Sequence, residues 1–259
     1  MSGQTISLFR FMMLGIISRR FVVLLLILLL VAALSGSYIG ELTLINGRAI
    51  VAAFMADFLR YCLALLTLLI IASNVAEDYE FRQFERLLTM PLARWQYIAA
   101  QTLLIACMCA IMTLPAALLV AFYSDASTGL YWAAALWMEL FLLGLLGLLA
   151  ILSLEKIPLA VFFALAVYLF AKLSGLITLI VAESVKMSEG SAASRAVEFI
   201  FNAILYVIPG IDTFADNNVF FVDIDMLHSL GVQMLSVLVY ASFLLAVCLV
   251  DFYRKEFNL

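Results

Sequence analysis

Four ionisable side chains stand inside runs of residues that are otherwise almost wholly apolar: Asp57 and Arg60 in one run, Glu139 in a later one and Lys172 in the next. A charge in hydrocarbon is costly, so such residues face protein or water, find a countercharge, and by default mark a translocation path or a proton relay. Asp57 and Arg60 are three apart, which on a helix puts them on one face and within pairing distance. Counting 1.5 Å per residue from the ends of their runs puts Glu139 and Lys172 at comparable depth. Two readings follow: a polar lining or gate for something that crosses, or an ion-pair network that fixes how helices pack. Simple pairing of Asp57 with Arg60 predicts that exchanging the two charges harms assembly less than either single replacement.

The second constellation is the charged, proline-broken stretch from Glu77 to Gln101. Phe81, Phe84, Leu87 and Leu88 recur at three- and four-residue spacing. A helix from about Asp78 to Thr89 would therefore have one oily face and one charged face bearing Glu80, Arg82, Glu85 and Arg86. Pro91 cannot continue that helix and pushes Met90 out of the helical region. Arg94 and Trp95 then anchor the following run at a membrane interface. The pattern fits a surface helix joined by a sharp corner to a membrane helix, where a soluble partner can grip; it equally fits a solvated amphipathic connector.

The elements that must carry these residues are membrane spans. The 259 residues are 67% hydrophobic and 12% charged, with mean hydropathy +1.17, far from the roughly half-apolar, quarter-charged balance of soluble domains. Six continuous apolar runs, approximately Phe21–Tyr38, Ile50–Ala76, Trp95–Tyr123, Tyr131–Leu152, Pro158–Ala182 and Leu227–Val250, are long enough to cross a hydrocarbon core roughly 30 Å thick. Their continuity fits helices and disfavours a barrel. Ala196–Ile208, ending at Pro209-Gly210, is too short to cross and is expected to re-enter or lie at the interface. Ser7 to Ser18, apolar but broken by Arg10 and followed by Arg19-Arg20, suits either a helix lying in the headgroup layer or an extension of the first span. That first run is longer than the apolar core of a signal peptide. With the N-terminus inside, Arg10, Arg19, Arg20, Arg82, Arg86, Arg94, Lys156, Arg254 and Lys255 face the cytoplasm, against only Arg48, Lys186 and Arg195 outside. Retention of basic residues on the cytoplasmic side therefore puts both termini and the Glu77–Arg94 insert inside.

Several chemistries lack their residues. Cys62, Cys107, Cys109 and Cys248 all lie in apolar runs, and the one histidine, His228, stands at the edge of the last run, so no metal site or disulfide framework is expected. Asp223-Ile-Asp225 lacks the glycine and glutamate of a calcium loop. No Gly-x-Ser-x-Gly or His-Glu-x-x-His pattern supports catalysis. None of the twelve glycines is followed by lysine, so no nucleotide-binding P-loop is present. Gly144 and Gly147, and Ser174-Gly175, are read as places where helices approach closely. The acids expected outside, among them Glu41, Asp125 and Asp212, either tune an exit or reflect topology alone.

The insert resembles the loop between the second and third spans of ABC-2 exporter permeases, of general form E-x-G-T-x-E-x-L-L-x-x-P-x-S-R and ending in a coupling helix. Glu80, Glu85, Leu87, Leu88, Pro91 and Arg94 fall on matching positions, whereas Arg82-Gln83 replaces Gly-Thr and Ala93 replaces Ser. The resemblance implies an all-α membrane fold over 1–259: an interfacial helix in 1–20, spans 1 and 2 in 21–76, a cytoplasmic coupling-helix region in 77–94, spans 3 to 5 in 95–182, an external loop with a re-entrant stretch in 183–226, and span 6 with a cytoplasmic tail in 227–259. It further implies a non-enzymatic permease in a bacterial-type inner membrane, paired with a second copy of itself and with separate ATPase subunits. ATP and Mg would be bound by those subunits, with no cofactor on this chain and no nucleic acid. Phe81, Phe84, Leu87 and Leu88 would supply contact area to the ATPase, and Glu80, Glu85, Arg86 and Arg94, around the Pro91 corner, would fix register. Cargo is expected to be apolar or amphipathic, from the oily character of the spans. An ion-coupled carrier using the intramembrane charges, or an intramembrane enzyme, remain the alternatives.

Overall fold

A computed structural model describes residues 21–42, 47–80, 94–154, 156–187, 214, 217–221 and 225–254. Their elements are helices α1 (Phe21–Leu42), α2 (Gly47–Glu80), α3 (Arg94–Tyr123), α4 (Ala126–Leu154), α5 (Ile157–Met187) and α6 (Met226–Arg254), with a 3-10 turn at Asn217–Phe220 before α6. Six helices are long and apolar enough to cross a membrane, and the protein has the all-α architecture of a multi-pass membrane protein. The interfacial helix expected within 1–20 and the re-entrant stretch Ala196–Ile208 lie outside the described residues.

The helices alternate in direction. At one end α1 approaches α2, where a Cβ on Gly36 would come within 2.4 Å of the Met55 sulfur, and α3 turns into α4 through Ser124-Asp125. α6 begins at the same end, where the Ser229 hydroxyl lies 2.8 Å from that of Tyr131 on α4. At the other end α2 finishes at Glu80, α3 starts at Arg94, and α6 finishes beside α3, with the Tyr97 and Phe252 rings stacked at 5.6 Å. The termini flanking the insert therefore share one end of the bundle with Lys156 and Arg254.

Local chemistry explains the boundaries. The α3–α4 corner is tight because Ser124 N donates to Val120 O at 3.0 Å and Gly129 N to Asp125 O at 2.9 Å. A Cβ at Gly129 would meet the Ala121 backbone at 3.0 Å, so only glycine fits there. Pro158 sits in the first turn of α5, where a missing N–H costs nothing. Asp225, one of the two acids read as failing to form a calcium loop, caps α6: its carboxylate accepts from His228 N at 3.4 Å and its carbonyl from Ser229 N at 3.1 Å.

α4 is the hub, packed by α2, α3, α5, α6 and the 3-10 turn. In its most apolar stretch 78% of residues are buried within the protein, against 17% for α1, so α4 is surrounded by protein while α1 keeps much of its surface for lipid. Because lipid is as apolar as leucine, close van der Waals fit rather than water exclusion must hold such a helix. Gly144 and Gly147 provide the fit: a Cβ at Gly144 would stand 2.5 Å from Ile105 Cγ2 on α3 and 3.2 Å from Ile71 Cδ1 on α2, and one at Gly147 would stand 2.9 Å from Leu68 Cδ2. Gly144→Val is thus expected to force α2 and α3 away from α4 at a cost of about 1–3 kcal/mol. Thermal unfolding of detergent-solubilised protein should register the loss, while Gly231→Ala, with open space around it, should not.

Candidate functional site: a buried charge network and the flanks of the insert

The four intramembrane charges come together. Arg60 and Glu139 each lie thirteen residues into their helices, at 47 to 60 and 126 to 139, about 20 Å from the end where α2 and α4 begin. Lys172 comes up from the opposite direction on α5 to the same level. Arg60 Nη1 donates to Asp57 Oδ1 at 3.2 Å, the pairing that three-residue spacing allows. Arg60 Nε stands 3.8 Å from Glu139 Oε2, an ion pair without a hydrogen bond, and Lys172 Nζ stands 3.4 Å from the same oxygen. The Tyr168 hydroxyl donates to the other carboxylate oxygen, Oε1, at 2.7 Å.

Glu139 is therefore the centre on which three helices converge. Its side chain has no exposed surface, and Arg60 is 4% exposed, so their charges meet far from bulk water. Among the described residues two cations and two anions cancel, which offsets a net charge but not the cost of desolvating each ion. Arg60 Nε and Nη2 are buried without a hydrogen bond, so the network is electrically balanced but not fully satisfied. Asp57 is its outer edge, with 46% of its side chain at the protein surface.

Two partners escape sequence reasoning. Tyr168 is four residues before Lys172 on α5, hence on the same face, and that spacing was the available signal. The Phe214 carbonyl, which accepts from Lys172 Nζ at 2.8 Å, has no sequence signature at all. Its side chain is buried in the core, so the lysine ties the segment ahead of the 3-10 turn to Glu139.

The expected Asp57–Arg60 pair is present, and Arg60 also faces Glu139, which bears on the exchange of the two charges. Exchanging them would put a carboxylate at position 60, facing Glu139, and like charges at that distance in a poorly hydrated site repel. Asp57→Asn leaves Arg60 its ion pair with Glu139 and is expected to cost less than the exchange Asp57→Arg with Arg60→Asp, which brings two carboxylates face to face. Monodispersity and melting of the two variants compare them directly.

Other cross-helix polar contacts brace the hub. Gln233 Nε2 donates to Tyr131 Oη at 3.3 Å between α6 and α4, and Trp137 Nε1 donates to the Ala106 carbonyl at 3.0 Å between α4 and α3. The four cysteines are free, and among the described residues no cluster of three or more His, Cys, Asp or Glu side chains could hold a metal.

Of the residues assigned to the insert, Glu80 is the last residue of α2, which runs on past Ala76 without a break, and Arg94 is the first of α3. Phe81, Phe84, Glu85, Arg86, Leu87, Leu88 and Pro91 lie outside the described residues. Trp95, half-exposed at the start of α3, stands next to the buried Tyr97, whose hydroxyl accepts from Gln101 Nε2 at 3.1 Å. No protein-family model matches the chain, and no curated protein matches it in sequence.

Proposed function

We propose that this chain is the membrane subunit of an ATP-driven exporter of the ABC-2 type, lying in a bacterial-type inner membrane with both termini and the 77–94 insert on the cytoplasmic side. The supporting observation is the position of the insert. The spans flanking it end and begin at Glu80 and Arg94, at the bundle end that also carries Lys156 and Arg254, and basic residues concentrate on the cytoplasmic face. A charged insert with apolar residues at helical spacing, joined to that end, is suited to a groove on a soluble protein.

The chain has no P-loop of its own, so ATP and Mg belong to a separate ATPase subunit. Movement of that subunit would pull on the insert, and α3, which begins at Arg94, would carry the displacement to α6 through the stacked Tyr97 and Phe252 rings. Two copies of the chain would enclose the path. The fully buried Glu139 and nearly buried Arg60 act, on this reading, as a packing device that keeps α2, α4 and α5 moving as one body, rather than as a wet lining. Cargo is apolar or amphipathic, in keeping with the oily faces of the spans.

A second reading, an ion-coupled carrier, is favoured by one observation: four charged groups meet near mid-bundle with Asp57 at the protein surface. Proteoliposomes separate the two. The exporter reading expects uptake of an amphipathic dye into inside-out vesicles only with the ATPase subunit and ATP, and none with a proton gradient alone. Uptake by the chain alone on a proton or sodium gradient would replace the first reading with the second.

A further inference from the structure

We propose that the cavity at the bundle end opposite the insert binds a phosphate–ammonium zwitterion, the chemistry of a phosphatidylethanolamine or phosphatidylcholine headgroup. The cavity holds about 380 Å³ and lies where the start of α2, the α3–α4 corner and the 3-10 turn meet. That volume falls within the range of small-molecule sites. Among the described residues its walls carry one cation, Arg48, and one anion, Asp125, together with the rings of Phe122, Tyr123, Phe220 and Phe221.

The two charges line one space, yet they form no ion pair with each other. Among the described residues neither side chain has a hydrogen-bonding or ionic partner. A lone anion would have no use for Asp125, and a lone cation none for Arg48; a ligand carrying both charges engages both. Arg48 is the second residue of α2, whose first turn has no acid, so a phosphate there meets a guanidinium and the positive end of a helix together.

An ammonium group finds Asp125 and the aromatic faces. Phe122 and Tyr123 stand edge to face, centroids 5.3 Å apart at 78°, and form a corner. Phe122 is 83% exposed and Phe221 55%, so both rings keep most of their surface free for a ligand. The site also sits at helix ends, the level at which headgroups lie, and this selects phosphate over carboxylate as the acidic half. The proposal goes beyond the exporter reading, and its test needs no ATPase.

The full chain, purified from membranes and exchanged into nanodiscs of phosphatidylethanolamine mixed with phosphatidylglycerol, is analysed by native mass spectrometry after release. Binding of O-phosphoethanolamine and phosphocholine to the same protein is followed by calorimetry. The expected result is retention of phosphatidylethanolamine over phosphatidylglycerol by tenfold or more, reduced about tenfold by either Arg48→Ala or Asp125→Asn. Both side chains are exposed, and an unchanged gel-filtration profile will show that the variants fold. Binding of the soluble compounds with the same sensitivity would identify the headgroup chemistry as sufficient and a free zwitterion as a possible source. Lipid retention without soluble binding would identify the source as the bilayer. Equal retention of the two lipids, loss in Arg48→Ala only, or wild-type behaviour of both variants with no soluble binding would overturn the proposal and leave Arg48 and Asp125 as solvated rim charges.

Discussion

Glu139→Leu is expected to be the most damaging single substitution in the spans. It takes the Glu139 carboxylate from Arg60 and Lys172 and the acceptor from Tyr168, and breaking a buried pair by removing one partner typically costs about 3–5 kcal/mol. The protein should lose most of its monodisperse fraction in detergent, and what survives should melt far below wild type. Glu139→Gln loses the charge and keeps one acceptor oxygen, so only one of the two donors Tyr168 and Lys172 retains its partner in place and the cost should be intermediate.

The double variant Glu139→Leu with Lys172→Met should recover part of the loss. It removes one of the two cations that lost the Glu139 carboxylate but leaves Arg60 paired with Asp57 and takes the Lys172 donor from the Phe214 carbonyl. Tyr168→Phe should cost about 1 kcal/mol, the net value of one hydrogen bond. If Glu139→Leu melts within about 0.5 kcal/mol of wild type, the scale of a neutral surface change, the network is not what holds α2, α4 and α5 together.

The second large effect concerns the insert. Phe84→Asp with Leu88→Asp puts two charges on the face assigned to the ATPase groove, where anchor residues each carry about 2 kcal/mol or more. Together they should weaken the complex about a thousandfold without altering the melting of the isolated chain. Glu85→Lys with Arg94→Glu alters register and partner choice instead. It is expected to leave some binding but to uncouple ATP hydrolysis from transport. A complex and coupling that both survive this reversal would remove the role given to those two residues.

How much of this was legible in the sequence varies with the kind of contact. Span positions were within a few residues because continuous apolar runs report hydrocarbon directly: Trp95–Tyr123 was expected and Arg94–Tyr123 observed. The ends were less legible, since helices run on through residues that lie outside hydrocarbon. α4 starts at Ala126 rather than Tyr131 because the α3–α4 corner is set by Asp125 and Gly129, and α2 reaches Glu80 rather than Ala76.

Asp57 with Arg60 could be read from three-residue spacing, and Glu139 with Lys172 from depth. That Arg60 also faces Glu139 could not, because it depends on how α2 and α4 rotate against each other, which the small residues Gly144 and Gly147 and their neighbours Ile105, Ile71 and Leu68 decide. Gly144 was legible as a point of close approach, but not which helices approach it. The Phe214 carbonyl was invisible because backbone acceptors look the same in every residue.

The central claim is that the 77–94 insert receives work from a nucleotide-hydrolysing subunit encoded separately. Affinity purification of the tagged chain from its own membranes, alongside the Phe84→Asp, Leu88→Asp variant, tests it most directly. The account predicts that wild type brings down a P-loop ATPase in one-to-one ratio and that the variant, equally well folded, brings down none. A wild-type chain that purifies in active form with no ATPase, or a variant that retains it undiminished, would contradict the account.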